Sequence, residues 1–254
     1  MNHLECNLKD TTKYSIVKCL SDAIGDDVKA YFKRERVNDR KSNAKKFIKW
    51  DFINRNLTTN FSSTELTAEY AKRGAWYFVP LFNQETGTIF SIMREDRFNE
   101  LQKKHFKRRK AHYLDALVQS FNFDLDQYKQ MNLFETGKFD DKEVKLIVEE
   151  ILKDFQINNS VVHRYATILF EEYNSELISI RCCVLDSSLH IVEEESWNEF
   201  IHYNESVVVD TVEEHSKQKE MPNIKLKDAA IKRIRQKDIV VKQDNAIGEG
   251  AENL

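Results

Sequence analysis

"HRYATILFEEYNSELISIRCCVLDSSLHIVEEESW", residues 163–197, carries the pattern on which the fold turns. Three runs of tyrosine, isoleucine and valine alternate with polar residues, and polar turns separate them at Asn174-Ser175 and Asp186-Ser187-Ser188. A period of two marks strands with one face in a core. The stretch therefore predicts a three-stranded antiparallel meander, after which Trp197 opens a short helix. Adjacent Cys182 and Cys183 point to opposite faces of such a strand, which suits neither a C-x-x-C metal pair nor a disulfide ladder.

Upstream, "DKEVKLIVEEILKDF" (141–155) places Val144, Ile147, Val148, Ile151 and Leu152 at helical spacing,. The helix is expected to cap the sheet that follows. Earlier still, "AWYFVPLFNQETGTIFSIM" (75–93) has two aromatic and β-branched runs about an N-Q-E-T-G connection. Gly87 supplies a positive φ there, so the stretch predicts a β-hairpin, with Pro80 at an edge or bulge. Two amphipathic helices precede it, over 14–34 through Ile16, Val17, Leu20, Ile24, Val28 and Phe32, and over 42–56 through Phe47, Ile48, Phe52 and Ile53. Together these elements predict an α+β fold: N-terminal helices, a β-hairpin, a long basic helix, a further helix and the C-terminal meander. The expected organisation is a helical segment 1–60, an α+β core 61–204 and a charged, partly disordered extension 205–254.

The long basic helix is expected from Asp96 to Ser120 and contains "KKHFKRRKAHY" (103–113). Winding it at about 100° per residue gathers Phe98, Leu101, His105, Arg109, His112 and Ala116 on one arc. Lys103, Lys104, Lys107, Arg108 and Lys110 fall on the other side as candidate phosphate contacts, or as a plain solvated face. The inward group invites two readings. An arginine with a histidine can stabilise phosphoryl charge and move a proton, so Arg73, Arg94, Arg109 and His112 are candidate catalytic residues for a metal-independent ribonuclease. Alternatively the histidines are satisfied core residues and the arginine pairs with Glu95 or Asp115.

Over 254 residues the charged fraction is 32%, yet the signs nearly cancel to −3, so any nucleic-acid contact must come from local patches,. Basic segments at 29–50, 103–110 and 225–237 segregate positive charge as an anionic partner requires,. No phosphate-binding glycine loop, hydrolase elbow or zinc-protease motif occurs. No cofactor or metal is expected. Four scattered cysteines, no basic-then-apolar leader and no run near the roughly 20 apolar residues of a membrane span predict a cytoplasmic protein,.

The stretches "KWDFINRNL" (49–57), "KRGAWYFVPLFN" (72–83), "SIMREDRFNEL" (91–101), "HYLDAL" (112–117), "VHRYATILFE" (162–171) and "SWNEFI" (196–201) resemble a family of Gram-positive bacterial and prophage proteins with no assigned activity. The resemblance implies an intracellular bacterial protein, encoded on a mobile element, and draws attention to Trp50, Asp51, Asn54, Lys72, Arg73, Trp76, Arg94, His112 and Tyr113. The expected function is an interaction protein of a mobile-element conflict system, of phage-defence or toxin–antitoxin type, contacting nucleic acid or an acidic protein partner through basic helix faces. The alternatives are the ribonuclease-type toxin and a structural or regulatory accessory subunit.

Overall fold

The computed structural model describes residues 8–38, 41–62, 65–73, 76–125 and 139–201, the side chain of Arg73 excepted. These residues fall within one compact unit, Met1–Tyr203. The expected extension 205–254 lies outside the described residues.

The chain opens with α1 (Asp10–Asp22), a π-helical turn (Ala23–Asp27) and α2 (Val28–Arg34), followed by α3 (Lys45–Asn60). Short strands β1 (Leu66–Ala68), β2 (Ala71–Arg73), β3 (Trp76–Phe78) and β4 (Leu81–Asn83) lead to β5 (Thr88–Arg94). Helices α4 (Glu95–Lys103), α5 (Tyr113–Phe121) and α6 (Asp141–Asp154) precede β6 (Arg164–Tyr173), β7 (Glu176–Leu185) and β8 (Ile191–Ser196). Six strands form one mixed sheet in the order β1-β4-β5-β6-β7-β8, while β2 and β3 pair separately. Every neighbouring pair in the large sheet is antiparallel except β5 with β6. The fold is therefore α+β.

Burial follows from topology. Both faces of the sheet are covered, so central β5 is buried from Thr88 through Met93,. Phe90, Ile92, Ile168, Phe170 and Cys182 pack with Ile16, Leu20, Ile53 and Leu57 of α1 and α3. Ile89, Met93, Tyr165, Leu169 and Cys183 pack on the other face with Phe98, Leu117, Val148 and Leu152 of α4–α6. The adjacent cysteines point to opposite faces, as their spacing predicts. The hairpin and the meander also form as expected. Gly87 adopts φ +65°, and a Cβ there would meet Val161 O and His163 at 2.5 Å. Asn174 and Ser175, with φ 49° and 66°, make the two-residue β6–β7 turn,. Only Leu81–Asn83 of the first aromatic run joins β5, because Trp76–Phe78 pairs with β2 instead. Pro80 sits between the two ladders.

The expected helix from Asp96 to Ser120 does not form as one element. Helix α4 ends at Lys103, a 3₁₀ turn spans His105–Lys107, and α5 starts at Tyr113. The cause is Asp115, whose side chain is only 1% exposed. A buried carboxylate needs counter-charge and hydrogen bonds, and the basic run bends back to provide both. Arg108 forks onto it, with Nη2 donating to Oδ1 at 2.7 Å and Nη1 to Oδ2. The His105 Nδ1–H donates to Oδ1 at 3.1 Å, and the His112 backbone N–H to Oδ2 at 2.8 Å. The Nδ1 of His112 accepts from the Leu114 N–H at 3.2 Å, completing the N-cap of α5,.

This break reassigns the side chains. Arg108, expected to face outward, is the inward arginine, whereas Arg109, expected inward, is exposed. The uniform 100° rotation that placed them the other way stops at Lys104. His105 is a satisfied core histidine, 3% exposed, with its ring edge-on to Phe106 and Phe139.

At the other end of α5, fully buried Asn122 locks the crossover onto the sheet. Its Nδ2 donates to the Tyr165 carbonyl at 2.9 Å and the Leu185 carbonyl at 2.8 Å, and its Oδ1 accepts from the Tyr165 N–H at 3.0 Å. Asn122→Ala orphans all three backbone groups, so it is expected to cost about 3 kcal/mol and lower Tm by roughly 6–12 °C in a thermal melt. For Asp115, burial alone would push the carboxyl up, but hydrogen bonds from His105, Arg108 and the His112 backbone outweigh it and hold it below the ordinary 3.8. Its stabilising contribution is therefore complete above about pH 4 and is lost as pH falls through the lower folded-state value. Asp115→Asn is expected to destabilise by about 3 kcal/mol at neutral pH and to show a shallower loss of Tm below pH 4 than the wild type.

Candidate functional site: an aromatic cleft

Helix α3 carries Phe47, Trp50, Asp51 and Asn54 at steps of three, one and three, a single stripe along the helix,. That stripe lies beside the one formed by Ile53 and Leu57, which enters the core. Of the first stripe, Trp50 also touches the sheet. The same stripe forms one wall of a cleft of about 700 Å³, whose opposite wall is Tyr70 with Trp76, Tyr77 and Phe78 of β3. Ile92, Met93 and Arg94 reach it from the C-terminal end of β5, joined by Arg97 of α4 and Tyr113 of α5.

The walls are joined by aromatic contacts. Phe47 and Trp76 stack face to face, with centroids 5.4 Å apart and planes within 3°. Trp50 meets Phe170 edge-on at 5.9 Å, and Phe78 packs on Tyr113 at 4.7 Å. Yet Trp76 remains 56% exposed and Tyr77 62%. Exposed aromatic surface of this kind makes the cleft a candidate binding surface.

Two polar side chains line the cleft without partners among the described residues. Asn54 is buried and lines the cleft, and its side-chain amide makes no hydrogen bond among the described residues. The amide atoms open onto the cleft, so they are free to hydrogen-bond water or a molecule that enters it,. Asp51 is exposed at the same wall and forms no ion pair among the described residues.

The charged end of the cleft is organised around Glu172. Its carboxylate accepts from Lys49 Nζ at 2.6 Å and from Arg94 Nη1 at 3.2 Å. Arg94 also pairs with Asp96 at 3.0 Å, and Arg97 with Glu100 at 2.6 Å. A second recess of about 220 Å³ continues from here, sharing Trp50, Arg94 and Arg97 with the larger space.

Of the candidate catalytic residues, Arg94 lines the cleft. Arg109 and His112 do not, although the His112 ring lies 4.4 Å from that of the cleft residue Tyr113. Arg73 pairs through its backbone with Trp76 in the β2–β3 ladder, and its side chain lies outside the described ones. Of the candidate phosphate contacts, Lys103, Lys107 and Lys110 are exposed and without ion pairs among the described residues, Lys104 pairs with Glu100 at 2.7 Å, and Arg108 is committed to Asp115. Among the positions marked by resemblance, Trp50, Asp51, Asn54, Trp76, Arg94 and Tyr113 converge in the cleft. Lys72 does not, its backbone N–H tethering β2 to Asp154 of α6 at 2.7 Å. Phe47, Tyr70, Tyr77, Phe78 and Arg97 are not among those positions. For Tyr70, Tyr77 and Phe78 the one signal is the density of aromatics in 70–78, which reads equally well as strand, and Phe47 and Arg97 carry no signal beyond helical spacing.

Among the described residues no helix is long and apolar enough to cross a membrane, and no group of three or more His, Cys, Asp or Glu side chains is placed to hold a metal ion. No curated protein and no solved structure matches the chain. A family model described as a family of unknown function, DUF5986, matches residues 6–243. That span contains the whole described fold and every residue of the aromatic cleft, and the chain belongs to this family.

Proposed function

We propose that this protein binds single-stranded nucleic acid by taking an unpaired base into the aromatic cleft. The observation that carries the reading is Asn54, whose amide has no partner among the described residues and opens onto a space walled by aromatic rings. Aromatic faces accept any base by stacking. An amide offers a donor and an acceptor together, which is what the edge of an unpaired base requires. A duplex keeps its bases stacked and paired, so it presents neither face nor edge to such a cleft.

The expected route to nucleic acid, basic helix faces, is replaced in this reading by stacking. The basic turn keeps a secondary part, because Lys103, Lys107, Arg109 and Lys110 are exposed and unpaired among the described residues. They supply a sequence-indifferent attraction to phosphate. The ribonuclease-type alternative needs His112 and Arg109 beside Arg94, and the Nδ1 of His112 is already engaged in capping α5. Binding is therefore the reading the geometry favours. In the mobile-element conflict system expected from the sequence, such a protein would sense exposed single strands.

Titrating tryptophan fluorescence with one oligonucleotide sequence as single strand and as duplex tests this. The single strand is expected to bind more tightly. Trp76→Ala and Asn54→Ala are each expected to weaken it about tenfold, matching the ~1–3 kcal/mol of one base contact. Preference for duplex, or unchanged affinity in both variants, counts against the cleft. Separately, the double variant Lys107→Gln/Lys110→Gln is expected to flatten the salt dependence, by about 0.7 in log–log slope per lost phosphate contact. A melting curve should leave its stability unchanged.

A further inference from the structure

The recess beyond Arg94 differs in character from the cleft it continues. Its lining carries four cations, Lys46, Lys49, Arg94 and Arg97, against two carboxylates, Asp96 and Glu172, a lining charge of +2. Glu172 holds Lys49 and Arg94 side by side, and both it and Lys49 are nearly buried. Lys46 is exposed and forms no ion pair among the described residues, while the partner of Arg97, Glu100, is not part of the lining.

Size limits what can enter. At about 220 Å³ the recess is smaller than the roughly 300 Å³ at which small-molecule pockets begin, so it suits a head group and not a second base with its sugar,. Ile24, Ile53 and Phe170 are part of its lining, and all three belong to the core. The room that remains suits a small anionic group.

We propose that this recess binds the terminal phosphate of a nucleotide whose base occupies the aromatic cleft. The proposal rests on the reading of that cleft as a base-binding site. A phosphomonoester carries about −1.5 to −2 charge at pH 7, whereas an internal phosphodiester carries one. The former gains more from Lys46, the one cation of the lining without an ion pair among the described residues, and from the Arg94 fork,. Its oxygens suit the fork of a guanidinium, and Lys46 at the rim adds a point charge. Trp50, Arg94 and Arg97, shared by both spaces, lie where base and phosphate of one nucleotide would join. The recognised unit is a nucleoside monophosphate, either at a strand end or free in solution.

The test uses the full chain and one oligonucleotide sequence ending in 5′-hydroxyl, 5′-phosphate or 3′-phosphate, with the corresponding free nucleoside and nucleoside monophosphate. One phosphorylated terminus is expected to bind about tenfold more tightly than the hydroxyl-ended strand. In Lys46→Gln, chosen because an exposed side chain leaves folding intact, the ratio of the two affinities is expected to shrink several-fold. Arg94→Lys, which keeps the charge and loses the fork, is expected to reduce it as well. A free nucleoside monophosphate binding as tightly as the phosphorylated strand, and more tightly than its nucleoside, supports the recess and overturns the single-strand reading of the cleft. Equal affinity for phosphorylated and hydroxyl ends overturns the recess and leaves the cleft standing, as does an undiminished ratio in both variants. Absence of binding by every probe overturns the two together.

Discussion

A single buried carboxylate governs how the middle of this chain is laid out. Asp115 sits inside the core at the first turn of α5, and an unpaired charge there would cost several kcal/mol,. Arg108, His105 and the His112 backbone satisfy it, and they can do so only if α4 stops and the chain turns back. The crossover between β5 and β6 is thus built from separate helices and not from one long rod. Because α5 restarts at Tyr113, that ring reaches the cleft and packs on Phe78.

The crossover makes the parallel β5–β6 pair possible, and that pair unites the early strands with the meander in one sheet. Its register sets Arg94 opposite Phe170, two residues before Glu172. The charged end of the cleft is consequently assembled from segments nearly eighty positions apart in sequence. The small β2–β3 ladder stands outside the main sheet and contributes three adjacent aromatic residues, Trp76, Tyr77 and Phe78, to the opposite wall. Stable strands form the base of the site, while its most exposed aromatics stand on the short ladder.

Much of the fold was legible because its signals are local. Alternation along 164–185, turn residues at Asn174-Ser175 and Gly87, and helical spacing over 141–154 each depend on near neighbours, and each element forms where expected. The break in the basic run was not legible, since its cause is the burial of a residue several positions downstream. Helical winding treats Arg108 and Arg109 as equivalent in kind and separates them only by angle. Burial of Asp115 decides which of them turns inward.

The candidate site divides in the same way. Sequence alone determined the N-terminal helices, the hairpin, the helix over 141–155, the meander, the opposite facing of Cys182 and Cys183 and the aromatic runs of 75–93. Each of these follows from the two-residue and 3.6-residue periods of the backbone. Tertiary structure alone decided that Phe47, Trp50, Asp51 and Asn54 of α3 line a cleft, that Arg94 belongs to it while Arg109 and His112 do not, and that Lys46, Lys49 and Arg97 join Arg94 around Glu172. Those facts depend on which surfaces remain uncovered after packing, and a periodic pattern looks the same whether its apolar face meets another helix or an open space.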